Sequence, residues 1–278
     1  MGKVTEKEIW NLWCGIQDKR PLVHCITNIV TVNDCANIVL AAGASPTMAH
    51  HPLEVAEISA GCDCLVCNMG AMENYEAMQI AGKAANSASH PIVIDPVGAS
   101  GASYRREQTQ KLIVQLKPSI IRGNLSEIRA LASDRRTQIG VDAAREDLTM
   151  SGDFATSITI VKEYAQRTQS IVIASGAVDI ISDGTQTCTV SNGSTYMAKI
   201  TGSGCMESAL LGAFLGAGDS FASAVAACTV MGICGELAER KTKEQGGGTM
   251  TFRMHLIDAV STFSERALAG NCKIDGVE

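Results

Sequence analysis

Short apolar runs rich in β-branched residues recur along the first two thirds of the chain, each separated from the next by a longer stretch with helical spacing. The spacing predicts strands at Ala44–Met48, Asp63–Asn68, Pro91–Asp95, Ser119–Arg122 and Ser170–Ser175. Helices are expected between them at Val32–Ala42, Pro52–Ala60, Glu73–Ser89, Tyr104–Gln115 and Leu125–Ala132. Several of these strands are apolar throughout, as they must be when helices cover both faces of a sheet. A layered α/β fold with a mostly parallel sheet is the expectation. After Ser175 the pattern changes. Val178–Ser182 and Thr185–Val190 flank Asp183-Gly184, a two-residue hairpin signal, so an antiparallel edge should follow. The remainder reads as three helices, Cys205–Leu215, Phe221–Arg240 and Thr249–Leu268.

Composition narrows the function classes. With 46% hydrophobic and 19% charged residues, the 278-residue chain can build a large core. No repeat or linker divides it, so residues 1–278 are expected to form a single domain. The polar stretch Ser133–Asp153 is either a loop near a site or a surface excursion. A net charge of −6 lacks the basic footprint of a nucleic-acid binder. No membrane span is expected, because Ser220–Gly235 falls short of the roughly 20 apolar residues needed. The first residues show no signal-peptide core, and eleven cysteines scattered through apolar segments suit reduced thiols, so a cytoplasmic protein is expected.

Chemistry concentrates at strand ends. Thr201-Gly202-Ser203-Gly204-Cys205 runs directly into a helix. Backbone amides freed by glycines, together with a helix N-terminus, suit an anion such as a phosphoryl group. The same field should lower the pKa of the Cys205 thiol. Asp95-Pro96-Val97-Gly98 puts a carboxylate where open α/β sheets bind ligands. In Arg122-Gly123-Asn124 with Glu127, the acid and amide suit Mg²⁺ through water and the guanidinium suits phosphate. Taken singly, Glu127 is equally an ordinary first-turn acid, and the glycine turn is equally a tight bend beside a buried thiol.

Other clusters read as structure. Strand alternation sends Cys64 and Cys67 to opposite faces, and no further Cys or His cluster completes a tetrahedral site with Cys62. His50-His51-Pro52 reads as a polar turn ahead of a helix, and Met206, Met231 and Met254 as packing residues.

Five segments occur in the order and spacing of hydroxyethylthiazole kinases: Pro21-Leu22-Val23-His24-Cys25-Ile26-Thr27-Asn28, Gly43-Ala44-Ser45-Pro46-Thr47-Met48-Ala49, Asp95-Pro96-Val97-Gly98, Arg122-Gly123-Asn124 and Gly202-Ser203-Gly204-Cys205. The chain resembles that family from about Pro21 to the C-terminal helix. The two N-terminal segments are the specific ones; the others are similar to the wider ribokinase-like superfamily.

The resemblance implies a three-layer αβα ribokinase-like fold. It also implies ATP-dependent phosphorylation of 4-methyl-5-(2-hydroxyethyl)thiazole in thiamine salvage, with Mg²⁺ as cofactor, in a homotrimer with sites at subunit interfaces. Carried over, Met48, Gly202, Asn28 and Gly70 bind the thiazole, Arg122 and Ser175 bind ATP, and Asp95 and Glu127 organise Mg²⁺. Gly202, Ser203, Gly204 and Cys205 form the anion hole, and Cys205 stands where many relatives place an Asp base. Cys25, Cys67 and Ser175 depart from the residues common in the family, and Glu207 is unusual; its side chain is expected to face away from the phosphate. Rival readings are a kinase of hydroxymethylpyrimidine or pyridoxal, an ATP/ADP-dependent nicotinamide-nucleotide-hydrate dehydratase, a thiamine-precursor binder and a thiol-based sensor.

Overall fold

A computed structural model describes residues 4–133, 154–218 and 221–277 of the chain. The polar stretch over 134–153 lies outside them. Six strands run parallel: β1 (Leu22–Ile26), β2 (Ser45–Thr47), β3 (Cys64–Asn68), β4 (Ile92–Asp95), β5 (Ile120–Asn124) and β6 (Ile171–Ser175). Then β7 (Asp179–Ser182), β8 (Thr187–Val190) and β9 (Ile274–Val277) add antiparallel. The sheet order is β2-β1-β3-β4-β5-β6-β7-β8-β9. The mostly parallel sheet with an antiparallel edge is as the sequence implies.

Strand alternation divides the apolar residues between two cores. Cys64 and Val66 of β3 enter one, Leu65 and Cys67 the other. Val93, Ile120 and Ile173 follow the first pair, while Ile94, Ile121 and Val172 follow the second. The close-set thiols therefore end on opposite sides of the sheet, which removes the tetrahedral reading of that cluster.

The first core is closed by α1 (Glu6–Lys19), α2 (Val32–Ala41), α8 (Ser203–Ala217), α9 (Phe221–Glu244), α10 (Thr249–Ser261) and α11 (Glu265–Leu268). The second is closed by α3 (Val55–Ala60), α4 (Tyr75–Ser87), α5 (Ser103–Leu116), α6 (Leu125–Ala132) and α7 (Phe154–Thr168). Two helical layers therefore sandwich the sheet. By length and composition α9 could cross a membrane, but 78% of its apolar window is buried inside the fold. It is a core helix.

Several elements depart from the sequence expectation. Nothing in the periodicity marked β1, whose core residues include His24, nor β9, which carries Asp275 and Gly276. Helix α1 does carry a local signal, since Thr5 and Glu8 close a capping box worth about 1 kcal/mol. The expected helix from Pro52 starts at Val55, because His51 and Pro52 remain in the preceding turn. Thr249–Leu268 is two helices, interrupted after Ser261 and restarted where Ser264 caps the amide of Ala267. The hairpin loop is longer than two residues: Ser182 pairs with Thr187 across a 183–186 loop. Asp183 Oδ1 accepts from the amides of Thr185 and Gln186, which shapes that wider turn.

Helix α8 sets the direction of the site. At Gly212 an added Cβ would come within 2.7 Å of Val23 and Val66 side chains, so the helix lies directly on β1 and β3. Its far end reaches the strand starts, with Gly216 against Pro21 and Asp63. Its first turn consequently stands at the carboxyl ends of the strands.

Candidate active site

At those carboxyl ends, Asp95 closes β4 directly beside Asn68, its register partner on β3. Asn68 Nδ2 donates to Asp95 Oδ2 at 2.9 Å and to Cys205 Sγ at 3.2 Å. Ser208 Oγ also donates to Asp95 Oδ2, at 2.8 Å. Asn68 Oδ1 accepts from the Gly70 amide at 2.9 Å and from Asn28 Nδ2 at 3.3 Å. One buried amide thus ties together Asp95, Cys205, Gly70 and Asn28. Sequence reasoning missed it, although a polar residue closing a wholly apolar strand ahead of Gly70 was the available signal.

Gly202 caps α8 with φ +85°, and an added Cβ would lie 2.5 Å from Thr31 Cγ2, so glycine is required twice over. No side chain caps this helix, which leaves its first amides open to a ligand. Ser203 Oγ instead donates to the Met197 carbonyl at 2.9 Å. Arg122, on β5, lies against the same turn: a Cβ on Gly204 would meet its Nη1 at 2.6 Å. Glu127 joins the two other strand-end segments, its Oε1 accepting from the Gly98 amide (2.8 Å) and its Oε2 from Asn124 N (2.9 Å). It is therefore the first-turn cap of α6 as well as a carboxylate on the cavity.

Asp95, Arg122, Glu127, Ser175 and the Gly202–Cys205 turn line one cavity of about 490 Å³. Gly70 joins it through the Asn68 network, and Asn28 joins it both through Asn68 and by donating to Cys205 Sγ at 3.5 Å. Met48 follows β2 and packs on the first core, beside the segment that buried His24 pins through the Ala49 carbonyl at 2.8 Å. It lies outside that lining.

A profile described as "Hydroxyethylthiazole kinase family" matches residues 14–266. A hydroxyethylthiazole kinase of Clostridium botulinum (strain Alaska E43 / Type E3) is 42% identical over 262 residues, covering 93% of each chain. The chain belongs to the hydroxyethylthiazole kinase family. A solved hydroxyethylthiazole kinase structure from Pyrococcus horikoshii OT3 superposes with a TM-score of 0.85 at 32% identity, covering 98% of this chain and 100% of that one. The pyridoxal kinase of Staphylococcus aureus in complex with ADP shares the fold alone, with a TM-score of 0.55 and 16% identity over 78% of this chain and 87% of that one.

Two expectations about this kinase-family site are corrected. The Cys205 pKa is raised, not lowered, because burial and the Asp95 charge outweigh the donors Thr31, Asn68 and Asn28. Glu207 does not face away: its Oε2 accepts from Arg122 Nη2 at 2.5 Å, and both side chains are buried. Glu207 also lines the cavity, as do Asp179 and Cys228, which sequence reasoning had passed over. Four carboxylates, those of Asp95, Glu127, Asp179 and Glu207, face one guanidinium among the lining residues. Such a cavity repels a polyphosphate unless cations or protons offset the excess.

Burial raises the Asp95 pKa to about 7, with Arg122 opposing the shift. Its native carboxyl thus holds a proton that the unfolded chain releases near pH 4. Stability from this group is therefore greatest at low pH and is lost as pH rises toward about 7. Urea titrations of wild type and Asp95→Asn from pH 4 to pH 8 will show the variant gaining relative to wild type across that window; parallel curves would contradict the assignment.

Proposed function

We infer that this chain transfers the γ-phosphoryl group of ATP to the primary alcohol of 4-methyl-5-(2-hydroxyethyl)thiazole, a thiamine-salvage reaction. The observation carrying the reading is the uncapped, glycine-opened start of α8, which faces Asp95, Glu127 and Arg122 across one cavity. Amides there would stabilise the migrating phosphoryl group as its charge spreads, and Arg122 lies against the same turn. Ser175, at the end of β6, would join Arg122 in holding the nucleotide. Asn28, Gly70, Met48 and Gly202 would orient the thiazole, with Asn28 touching Cys205 Sγ at 3.5 Å.

Asp95 and Glu127 supply hard oxygen donors in a cavity with surplus negative charge, which fits Mg²⁺. Both bonds accepted by Asp95 fall on Oδ2, and each Glu127 oxygen accepts a single amide, so lone pairs remain on both. When bound, the ion would offset phosphate charge.

A raised pKa keeps Cys205 a neutral thiol at neutral pH, so it would position the alcohol and not deprotonate it beforehand. A loose transition state needs little base strength, since the alcohol proton leaves late. All eleven cysteines are free thiols, which supports a cytoplasmic setting. Ile29 is 84% and Leu53 90% exposed, on the loops that follow Asn28 and Met48. Apolar residues placed beside thiazole-binding positions suit a homotrimer whose sites form at subunit contacts.

Coupled ADP release should be fastest with hydroxyethylthiazole against a panel including hydroxymethylpyrimidine and pyridoxal; a preference for either rival would replace the substrate assignment. Cys205→Asp should keep turnover, and Cys205→Ala should lower kcat by less than the 10²–10⁴-fold typical of a lost general base. A folded but inactive Cys205→Asp would end the positioning role. Sedimentation velocity should give a trimer that Leu53→Asp dissociates, and a monomeric wild type would refute the assembly.

A further inference from the structure

Glu207 is the one unusual residue near the phosphate turn, and its surroundings point beyond the reaction. Its Oε2 is held by Arg122, but Oε1 is buried without a hydrogen-bond partner in a residue only 4% exposed. A buried carboxylate oxygen left unpaired is costly. Beside it stand Asp179, the first residue of β7, and Cys228, a buried residue of α9. One donor atom from each of the three lies within 4.8 Å of the others, and neither Asp95 nor Glu127 belongs to this group. Asp179 Oδ1 accepts from the Gly176 amide at 2.9 Å, so the residue is already anchored by its backbone neighbour.

Two carboxylates and a thiol against one guanidinium call for either a proton or a cation. Arg122 is engaged on Oε2 and leaves Oε1 to a second partner. Donors bound at about 2.0–2.3 Å by a tetrahedral ion stand roughly 3.3–3.8 Å apart, so no pair needs to close by more than about 1.5 Å. The sulfur decides the class of ion, because Mg²⁺ and Ca²⁺ avoid thiolate while Zn²⁺ takes it together with carboxylate.

We propose that Asp179, Glu207 and Cys228 form a binding site for a thiophilic divalent cation of the Zn²⁺ class on the wall of the cavity. Binding replaces the Cys228 thiol proton, which leaves to solvent, with a metal–sulfur bond. The three protein ligands leave a fourth position to water. The site stands on these wall residues alone and does not depend on the kinase reading.

The test uses the full-length protein and Co²⁺ alone, without nucleotide or alcohol. Wild type should bind one equivalent with a thiolate-to-cobalt charge-transfer band and the strong visible bands of a four-coordinate ion, and excess Zn²⁺ should abolish both. Glu207→Gln, which keeps the side-chain shape, should weaken Co²⁺ binding at least tenfold. Cys228→Ser should lose the charge-transfer band with its far-ultraviolet circular dichroism unchanged, while Cys62→Ser should retain it. The proposal is overturned by a wild type that shows no saturable band, by a band that survives Cys228→Ser or disappears in Cys62→Ser, or by unaltered affinity in Glu207→Gln. If Cys228→Ser fails to fold, the wild-type spectrum and Glu207→Gln decide the question.

Discussion

The close seating of α8 on β1 and β3 determines where everything else in the site can stand. Because Gly212 and Gly216 have no side chains, the helix axis approaches the sheet directly, running antiparallel to the strands. Its opening turn is therefore delivered to the carboxyl ends of β3, β4 and β5. Ser208 meets Asp95 from one side of that turn, and Arg122 meets Gly204 from the other. A larger residue at Gly212 would lift the helix and misplace the amides before any chemistry was lost, since overpacking of this kind costs about 1–3 kcal/mol.

Electrostatics and burial pull in opposite directions inside the cavity, and burial prevails at several groups. Asp95 and Asp179 are pushed up to about 7 and about 8, although Arg122 favours their charged forms. At Cys205, desolvation and the neighbouring Asp95 carboxylate raise the thiol pKa against the donors Thr31, Asn68 and Asn28. The Arg122–Glu207 pair persists because removing either partner would strand the other charge, a loss of about 3–5 kcal/mol.

Much of this was legible before any coordinates. The apolar runs of β3, β4, β5 and β6 and the strand-end positions of Asp95 and Ser175 followed from periodicity, whereas Arg122, expected to close its strand, sits within β5, which continues to Asn124. The family followed from the local segments around Asn28 and Met48, and the wider superfamily from those around Asp95, Arg122 and Gly202. What escaped were groups whose roles depend on contacts distant in sequence. Asn68 reaches Cys205 across 137 positions, and Arg122 reaches Glu207 across 85. No local pattern reports such a meeting. The thiol shift at Cys205 escaped for the same reason, since both its burial and the Asp95 carboxylate at the end of β4 are supplied by the folded chain. Strand β1 was hidden because its buried His24 finds partners, Ser59 Oγ and the Ala49 carbonyl, that only the folded chain provides.

Glu127 grips the Gly98 amide with one oxygen and the Asn124 amide with the other. A single side chain thereby fixes the width of the cavity mouth between the β4 and β5 turns. Those turns are mechanically coupled: neither can drift outward without tugging its neighbour. Rigidity on this side of the opening is inherited from one residue, so losing that carboxylate would release both turns at once.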